Sequence, residues 1–177
     1  LTPYQVIGSG TALDTSRLRS SIADHCGLSP NSVHAYVFGE HGDSSFIPWS
    51  LTNIAGIPME EYCADQDHAD IDEEEIIDEV RKAGAEVIKR KGATFYAIAM
   101  TVNKICDSII RDTNNIMTVS SLVTDKYGIS DVCLSLPCVI GSNGIGREVF
   151  PKLTEDEEEK LRASAKALRS VIDQLTF

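Results

Sequence analysis

The spacing of apolar residues along this chain alternates between the period of a helix and that of a strand. Four segments repeat apolar residues every three or four positions, as one face of an α-helix does; they are residues 13–26, 72–90, 94–109 and the stretch from Thr154 onwards. Three other segments are rich in β-branched and apolar residues, which is typical of strands; they are residues 33–38, 117–123 and 129–140. A turn pattern at 125–128 makes the last two strands an antiparallel pair. This order predicts an α+β fold of mixed helices packed on antiparallel strands.

The break at Gly92 leaves two possibilities for the segments on either side of it. Glycine weakens a helix interior, so it either separates two helices or marks a kink in one long helix. Thr154 and Glu157 have the spacing of a capping box, and Asp72 and Glu75 form an analogous pair. Both pairs predict helix starts.

Length and charge narrow the classes of protein further. The chain has 177 residues, 16 basic and 27 acidic, with a net charge of −11. This length suits one domain better than two small ones. Nucleic-acid binding rests on clustered Lys and Arg, so the negative charge predicts no nucleic-acid partner. No apolar run is long enough to span a membrane and the first residues lack a signal-peptide pattern, so we expect no membrane partner and a cytoplasmic location.

The cysteines are odd in number and lack any Cys-x-x-Cys pair; they are Cys26, Cys63, Cys106, Cys133 and Cys138. The last three fall in apolar helix or strand patterns, where small buried thiols are common. We therefore expect reduced core cysteines, as is usual in the cytoplasm.

Several features that suggest ligand sites have simpler explanations. The glycine clusters at 8–10 and 141–146 lack the complete dinucleotide fingerprint, which predicts turns. The acidic run 155–159 lies at a helix start, where it complements the helix dipole. His25 and His68 are expected on the surface, and no histidine or cysteine spacing indicates zinc, so no metal site is predicted.

Among the histidines, His41 is the candidate catalytic residue. It lies between Gly39 and Gly42 at a predicted strand end, where a side chain can face a cleft. Asp14 and Arg17, three residues apart, share one helix face. A carboxylate beside an imidazole fixes its tautomer, and an arginine offers a planar fork for a substrate carboxylate. The alternatives are an ordinary loop histidine and a surface Asp–Arg pair that contributes little.

Two segments resemble signature sequences of the L-lactate dehydrogenase family. They are residues 6–19 (VIGSGTALDTSRLR) and 39–45 (GEHGDSS), and residues 91–94 (KGAT) and 153–161 (LTEDEEEKL) match too. The match runs through essentially the whole chain in order. It implies a lactate/malate dehydrogenase C-terminal catalytic domain over residues 1–177, with residues 1–10 similar to the end of the family's dinucleotide-binding domain. Together with the start at Leu1, this predicts a piece of a longer protein.

The resemblance also implies roles for single residues. His41 matches the family's proton donor and acceptor, Asp14 its orienting carboxylate, and Arg17 its binder of the substrate carboxylate. Thr94 matches a threonine that lines the substrate pocket. Ser9 and Ile98 match positions that touch the nicotinamide of NAD. The implied reaction interconverts pyruvate and L-lactate, a step of glycolysis and fermentation.

The family resemblance extends to regulation. Arg19 and His34 match positions that bind fructose 1,6-bisphosphate in allosteric bacterial members, which are homotetramers. Arg19 lies about 200° around the helix from Arg17, so the two can face different partners. Malate dehydrogenase is the alternative enzyme, although Thr94 and the Ser44–Ser45 pair favour lactate. A second alternative, for this chain without a cofactor domain, is a non-enzymatic oligomerisation module.

Overall fold

The computed structural model describes residues 1–65 and 71–175; the prediction for His68 lies outside these ranges. The five α-helices in this part of the chain are α1 (Ala12–Cys26), α2 (Met59–Asp65), α3 (Glu73–Lys91), α4 (Tyr96–Ile110) and α5 (Glu155–Ile172). The six strands are β1 (Val33–His34), β2 (Asn53–Ile54), β3 (Ile57–Pro58), β4 (Asn115–Val123), β5 (Val132–Gly141) and β6 (Gly144–Glu148).

The strands form two antiparallel sheets. The larger has the order β4-β5-β6, with Val119 opposite Leu136 near its centre. The smaller has the order β1-β2-β3 and consists of two-residue strands. Strand β5 is buried along nearly its whole length because helices cover the larger sheet. The predicted α+β arrangement of helices on antiparallel strands is confirmed.

Three hydrophobic clusters surround α1 and the larger sheet. The first joins α1, with Leu18 and Ile22 fully buried, to Ile76 and Val80 of α3. The second lies between α5 and one end of the sheet, and the third between α4 and the other end of the same face. Fully burying each of these large aliphatic side chains contributes about 1.5–3 kcal/mol, so α1 is held firmly from two sides.

The helix boundaries follow the predicted signals. Glu157 N–H donates to Thr154 Oγ1, and Thr154 N–H donates to Glu157 Oε2, so the capping box of α5 is present. Asp72 accepts the backbone N–H groups of Glu74 and Glu75 and caps α3. Gly92 has φ +79° in the left-handed region and ends α3, so α3 and α4 are separate helices.

The prediction of one strand over 33–38 is wrong: only residues 33–34 form a regular strand, and residue 38 makes a single β-bridge with residue 46. Side chains of α1 bind the backbone of this segment in place of a neighbouring strand: Thr15 Oγ1 accepts from Val37 N–H, and Thr11 Oγ1 donates to Val37 O. Arg19 Nε donates to the carbonyl of Ala35. The backbone groups are therefore satisfied without a ladder.

The expectation of core cysteines holds for only part of the set. Cys26 and Cys138 are buried, but Cys106 and Cys133 are exposed. Cys106 lies on the outward face of α4, and Cys133 is the one exposed residue of β5. Burial raises the pKa of the Cys138 thiol to about 11, so this side chain stays protonated.

Within the described ranges, no helix is both long and apolar enough to cross a bilayer.

Candidate active site

The first turn of α1 is fixed on the larger sheet, and this fixes Asp14. Thr11 N–H donates to Ser135 Oγ of β5. Gly10 has φ +51°, and a Cβ there would lie 2.7 Å from the backbone nitrogen of Ser120. Only glycine allows this close approach between the turn and β4. Asp14 follows two residues into α1, so its position is set by backbone packing.

The loop that carries His41 is anchored at both ends. Gly39 exchanges two backbone hydrogen bonds with Ser135 of β5. On the far side of His41, Arg81 of α3 donates to the carbonyls of Asp43 and Ser45. His41 therefore projects from a short, tethered loop rather than from a free one.

Asp14 joins His41 and Arg17 in one cluster. His41 Nδ1 lies 2.8 Å from Asp14 Oδ2, and Arg17 Nη1 donates to Asp14 Oδ1 at 3.1 Å. The Asp14 side chain is 13% exposed and that of Arg17 is 20%, whereas His41 is 65% exposed. An ionised carboxylate only accepts hydrogen bonds, so Nδ1 carries the proton toward Asp14. Nε2 is then left on the exposed side of the imidazole.

This geometry differs from the alternative of an isolated surface pair. Both partners of the Asp14–Arg17 pair are largely shielded from solvent, and His41 is a third member. Arg17 uses one of its N–H groups on Asp14 and lines a groove of about 390 Å³ between α1 and α3. Its remaining donors can form a two-point contact with a carboxylate.

The other predicted substrate and cofactor positions lie outside this hydrogen-bonded cluster. Thr94 is half-buried in the connection between α3 and α4, and Ile98 is half-buried in the first turn of α4. Ser9 precedes α1, where its carbonyl accepts from Ala12 N–H. Among residues 1–65 and 71–175, no side-chain hydrogen bond joins these three positions to the His41 cluster.

Arg19 faces away from Arg17, as predicted from their spacing. Its guanidinium lies 5.1 Å from the ring centroid of Tyr36, a cation–π contact. Arg19 also lines a cavity of about 520 Å³ with Met100 and Lys104 of α4. His34 is exposed in β1, opposite Asn53, and does not line this cavity.

The glycine clusters and the metal-ligating side chains are the remaining features that suggest ligand sites. Gly8 pairs with Ser120 of β4, and residues 141–144 join β5 to β6, so both glycine clusters lie in turns or bridges between strands. In the described part of the chain, the only trio with metal-ligand geometry is His25, Glu75 and Glu79, whose ligand atoms lie within 4.8 Å of one another. All three are exposed, as acidic surface groups commonly are without an ion. The absence of a metal site stays a prediction.

The family model for the lactate/malate dehydrogenase α/β C-terminal domain matches residues 11–176. The chain belongs to this family. An L-lactate dehydrogenase of Acetivibrio thermocellus is 45% identical over 173 residues, which is 97% of this chain and 55% of that protein.

Solved structures of the family have the same fold. An L-lactate dehydrogenase from Clostridium thermocellum superimposes with a TM-score of 0.90 at 40% identity, over all of this chain and 58% of that one. A lactate dehydrogenase from a deep-sea metagenome library gives a TM-score of 0.94 at 39% identity, over 98% of this chain and 56% of that one. The chain therefore spans somewhat more than half the length of the family members it matches.

Sequence patterns missed one group of residues around the site. Ser164 and Glu157 of α5 bind the segment 40–50 through hydrogen bonds that span more than a hundred positions of the chain. No local spacing links residues so far apart. The apolar period, the acidic run 155–159 and the capping pattern at Glu157 all predict helix α5, but none of them indicates these contacts.

Proposed function

We propose that this chain is the catalytic, substrate-binding part of an NAD-dependent L-lactate dehydrogenase that interconverts pyruvate and L-lactate. The observation that carries the proposal is the Asp14 carboxylate, which binds His41 and Arg17 at the same time. A proton carrier and a carboxylate binder thus lie on either side of one anion. The names of the family members described above support the same reaction.

His41 acts as the proton donor and acceptor. Asp14 holds Nδ1, so the exposed Nε2 faces the substrate and exchanges a proton with its oxygen. Asp14 also stabilises the imidazolium by its charge. A positioned acid–base group of this kind contributes about 10²–10⁴-fold in rate.

Arg17 binds the carboxylate shared by pyruvate and lactate. Its guanidinium is already oriented by Asp14, so little side-chain entropy is lost when the substrate binds. With one end of the substrate fixed on Arg17, the reacting oxygen is directed to His41. The half-buried Thr94 lines the far side of the pocket in this proposal.

The chain contributes only an edge to the cofactor site. Its glycine segments form turns and bridges on the larger sheet, which does not fit a dinucleotide's phosphates. Ser9 and Ile98 are the positions that would contact the nicotinamide ring, and residues 1–10 would lead in from a separate dinucleotide-binding domain. When bound, NADH supplies the hydride in the reducing direction.

We expect the purified 177-residue chain to reduce pyruvate at no measurable rate, and a full-length protein that carries it to be active. The physical reason is that the residues described here provide the proton and the carboxylate site but not the cofactor site. Steady-state oxidation of NADH, followed by absorbance with pyruvate in excess, tests this expectation. Clear turnover by the chain alone would contradict it.

Failure of the full-length protein to use pyruvate would contradict the proposed function itself. The same assay with oxaloacetate separates lactate from malate dehydrogenase. We expect the higher kcat/KM with pyruvate, in agreement with the names of the relatives. A purified 177-residue chain that assembles into oligomers without reducing pyruvate would favour the oligomerisation module for the chain alone.

Arg19 and His34 form the effector site in this proposal. Arg19 points away from Arg17, and the cavity that it lines contains a second cation, Lys104. In a homotetramer, two copies of Arg19 and His34 would surround the phosphates of fructose 1,6-bisphosphate, an anion that an acidic protein binds only where cations converge. The protein would act in the cytoplasm, in glycolysis and fermentation.

Replacing His34 with alanine is expected to abolish activation of the full-length protein by fructose 1,6-bisphosphate, because a hydrogen-bond donor to the phosphate is lost. The rate with and without the effector, at subsaturating pyruvate, measures the change. His25→Ala is the matched control, since His25 is also exposed but lies at the far end of α1. Activation that survives in His34→Ala would remove this residue from the effector site.

A further inference from the structure

The C-terminal helix α5 binds the loop that carries His41 through one buried hydroxyl. Ser164, on the inner face of α5, has no exposed surface. Its Oγ accepts the backbone N–H of Glu40 at 2.8 Å and lies 3.0 Å from Ser44 Oγ. Glu40 directly precedes His41, and Ser44 follows it by three residues. The loop is therefore held to α5 on both sides of His41.

A carboxylate closes this loop into a ring. Glu40 Oε1 accepts from Ser44 N–H at 3.2 Å and from Ser44 Oγ at 2.6 Å. Ser44 has one hydroxyl proton, and the shorter, charge-assisted bond to Glu40 takes it. Ser164 Oγ, which accepts from Glu40 N–H, also lies within hydrogen-bond distance of Ser44 Oγ, so the three residues form one linked group.

The contact between loop and helix leaves no room for adjustment. Gly39 has φ +96°, and a Cβ at this position would lie 2.6 Å from Ser164 Oγ. Glycine is required there both by the backbone angle and by the closeness of α5. Phe38, just before the loop, is fully buried against Leu161 and Ala165 of the same helix. A shift of α5 would therefore move the loop with it.

A second tie lies at the other end of this segment. Ser50 donates to Glu157 of α5 through its backbone N–H at 3.0 Å and through Oγ at 2.6 Å. Burial alone raises the pKa of Glu157, but hydrogen bonds from Ser50 and Thr154 outweigh it, so the pKa lies below its usual value. The carboxylate stays ionised and binds the Ser50 end of residues 39–50 to α5.

We propose that Ser164 is a positioning residue for His41: through Glu40 and Ser44 it holds the imidazole in the place where Asp14 fixes its tautomer. The catalytic role of His41 rests on the proposed function. The positioning of His41 does not, since it concerns only the contact between the imidazole and Asp14. Among the described residues, no other hydrogen bond from α5 reaches the loop as close to His41 as those of Ser164. Removal of the Ser164 hydroxyl releases Glu40 N–H and Ser44 together.

The first test uses the 177-residue chain and needs no turnover. Imidazole ¹⁵N shifts, recorded at the high-pH end of a titration, report which ring nitrogen carries the proton. We expect His41 to have the Nδ1–H form in the wild-type chain, because Asp14 accepts that proton. In Ser164→Ala we expect the two nitrogens to move toward averaged shifts, which means that the single tautomer is lost.

Ala163→Gly is the matched control for this test. Ala163 lies on the exposed face of α5, next to Ser164, and glycine there weakens the helix without removing a contact to the loop. We expect this variant to keep the wild-type ¹⁵N shifts of His41. Equal shifts in Ser164→Ala and Ala163→Gly would overturn the proposal. If Ser164→Ala does not fold, Ser44→Ala replaces it, because it removes the hydroxyl that joins Ser164 to the Glu40 carboxylate. Unchanged shifts in that variant would also overturn the proposal.

The second test measures the full-length protein. We expect Ser164→Ala to lower kcat by roughly tenfold to a hundredfold, as small displacements of a catalytic group do. The KM for pyruvate should change little, because Arg17 lies on α1 and not on this loop. A rise in KM with unchanged kcat would contradict a positioning role for His41. Normal ¹⁵N behaviour of wild-type His41 in a protein without dehydrogenase activity would refute the proposed function and leave the positioning intact.

Discussion

Replacing His41 with asparagine is expected to lower the turnover of the full-length protein by roughly 10²–10⁴-fold, the usual contribution of a positioned acid–base group. Asparagine has a similar size and can still donate a hydrogen bond to Asp14, but it cannot exchange a proton with the substrate at neutral pH. The loss should therefore fall on kcat. The affinity for NADH should stay nearly unchanged, because His41 lies outside the positions expected to touch the cofactor.

Two measurements separate this effect from general damage. Fluorescence titration gives the Kd for NADH, and stopped-flow absorbance gives the rate of the chemical step. His25→Asn makes the same chemical change at an exposed histidine at the end of α1 and should leave both quantities unchanged. Near-normal turnover of His41→Asn would remove His41 from the mechanism.

The sequence contained enough information for the local half of the site. Asp14 and Arg17 are three residues apart on a helix with a clear apolar period, so their shared face follows from helix geometry. The glycines around His41 indicate an open loop. What joins the two parts is the antiparallel segment 33–39, which returns from the end of α1 along that helix and brings residue 41 back to residue 14.

The rest depended on contacts between distant parts of the chain. The strand predicted over 33–38 is too long because, at residues 35 and 37, side chains of α1 take the place of a neighbouring strand. These side chains are Thr11, Thr15 and Arg19. Apolar composition does not reveal whether the partner of a buried segment is a strand or a row of side chains. For the same reason the apolar patterns around Cys106 and Cys133 predict core positions, although both side chains are exposed.

The contacts that hold the His41 loop to α5 are harder still to predict from sequence. Ser164 is one of many small polar residues in a helix and carries no motif. Its importance follows from total burial and from two bonds to residues more than a hundred positions away. Buried polar groups of this kind are satisfied only in the folded chain. They are the part of a site that sequence periodicity does not report.

Replacing Arg17 with lysine should have the second large effect, and on a different kinetic constant. Lysine keeps the positive charge beside Asp14 but loses the planar fork that binds a carboxylate at two points. The loss of a charge-assisted hydrogen bond costs about 2 kcal/mol, which corresponds to a rise of about 30-fold in the KM for pyruvate. Initial rates over a wide range of pyruvate concentration measure this change.

Two comparisons assign that effect to the substrate carboxylate. The amide analogue of pyruvate lacks the charge, so Arg17→Lys should alter its kcat/KM far less than that of pyruvate. Arg19→Lys, made two residues further on the opposite face of α1, should leave the KM for pyruvate unchanged when no effector is present. If both substrates lose equally in Arg17→Lys, the arginine acts by holding Asp14 and His41 in place, and the substrate carboxylate must bind elsewhere.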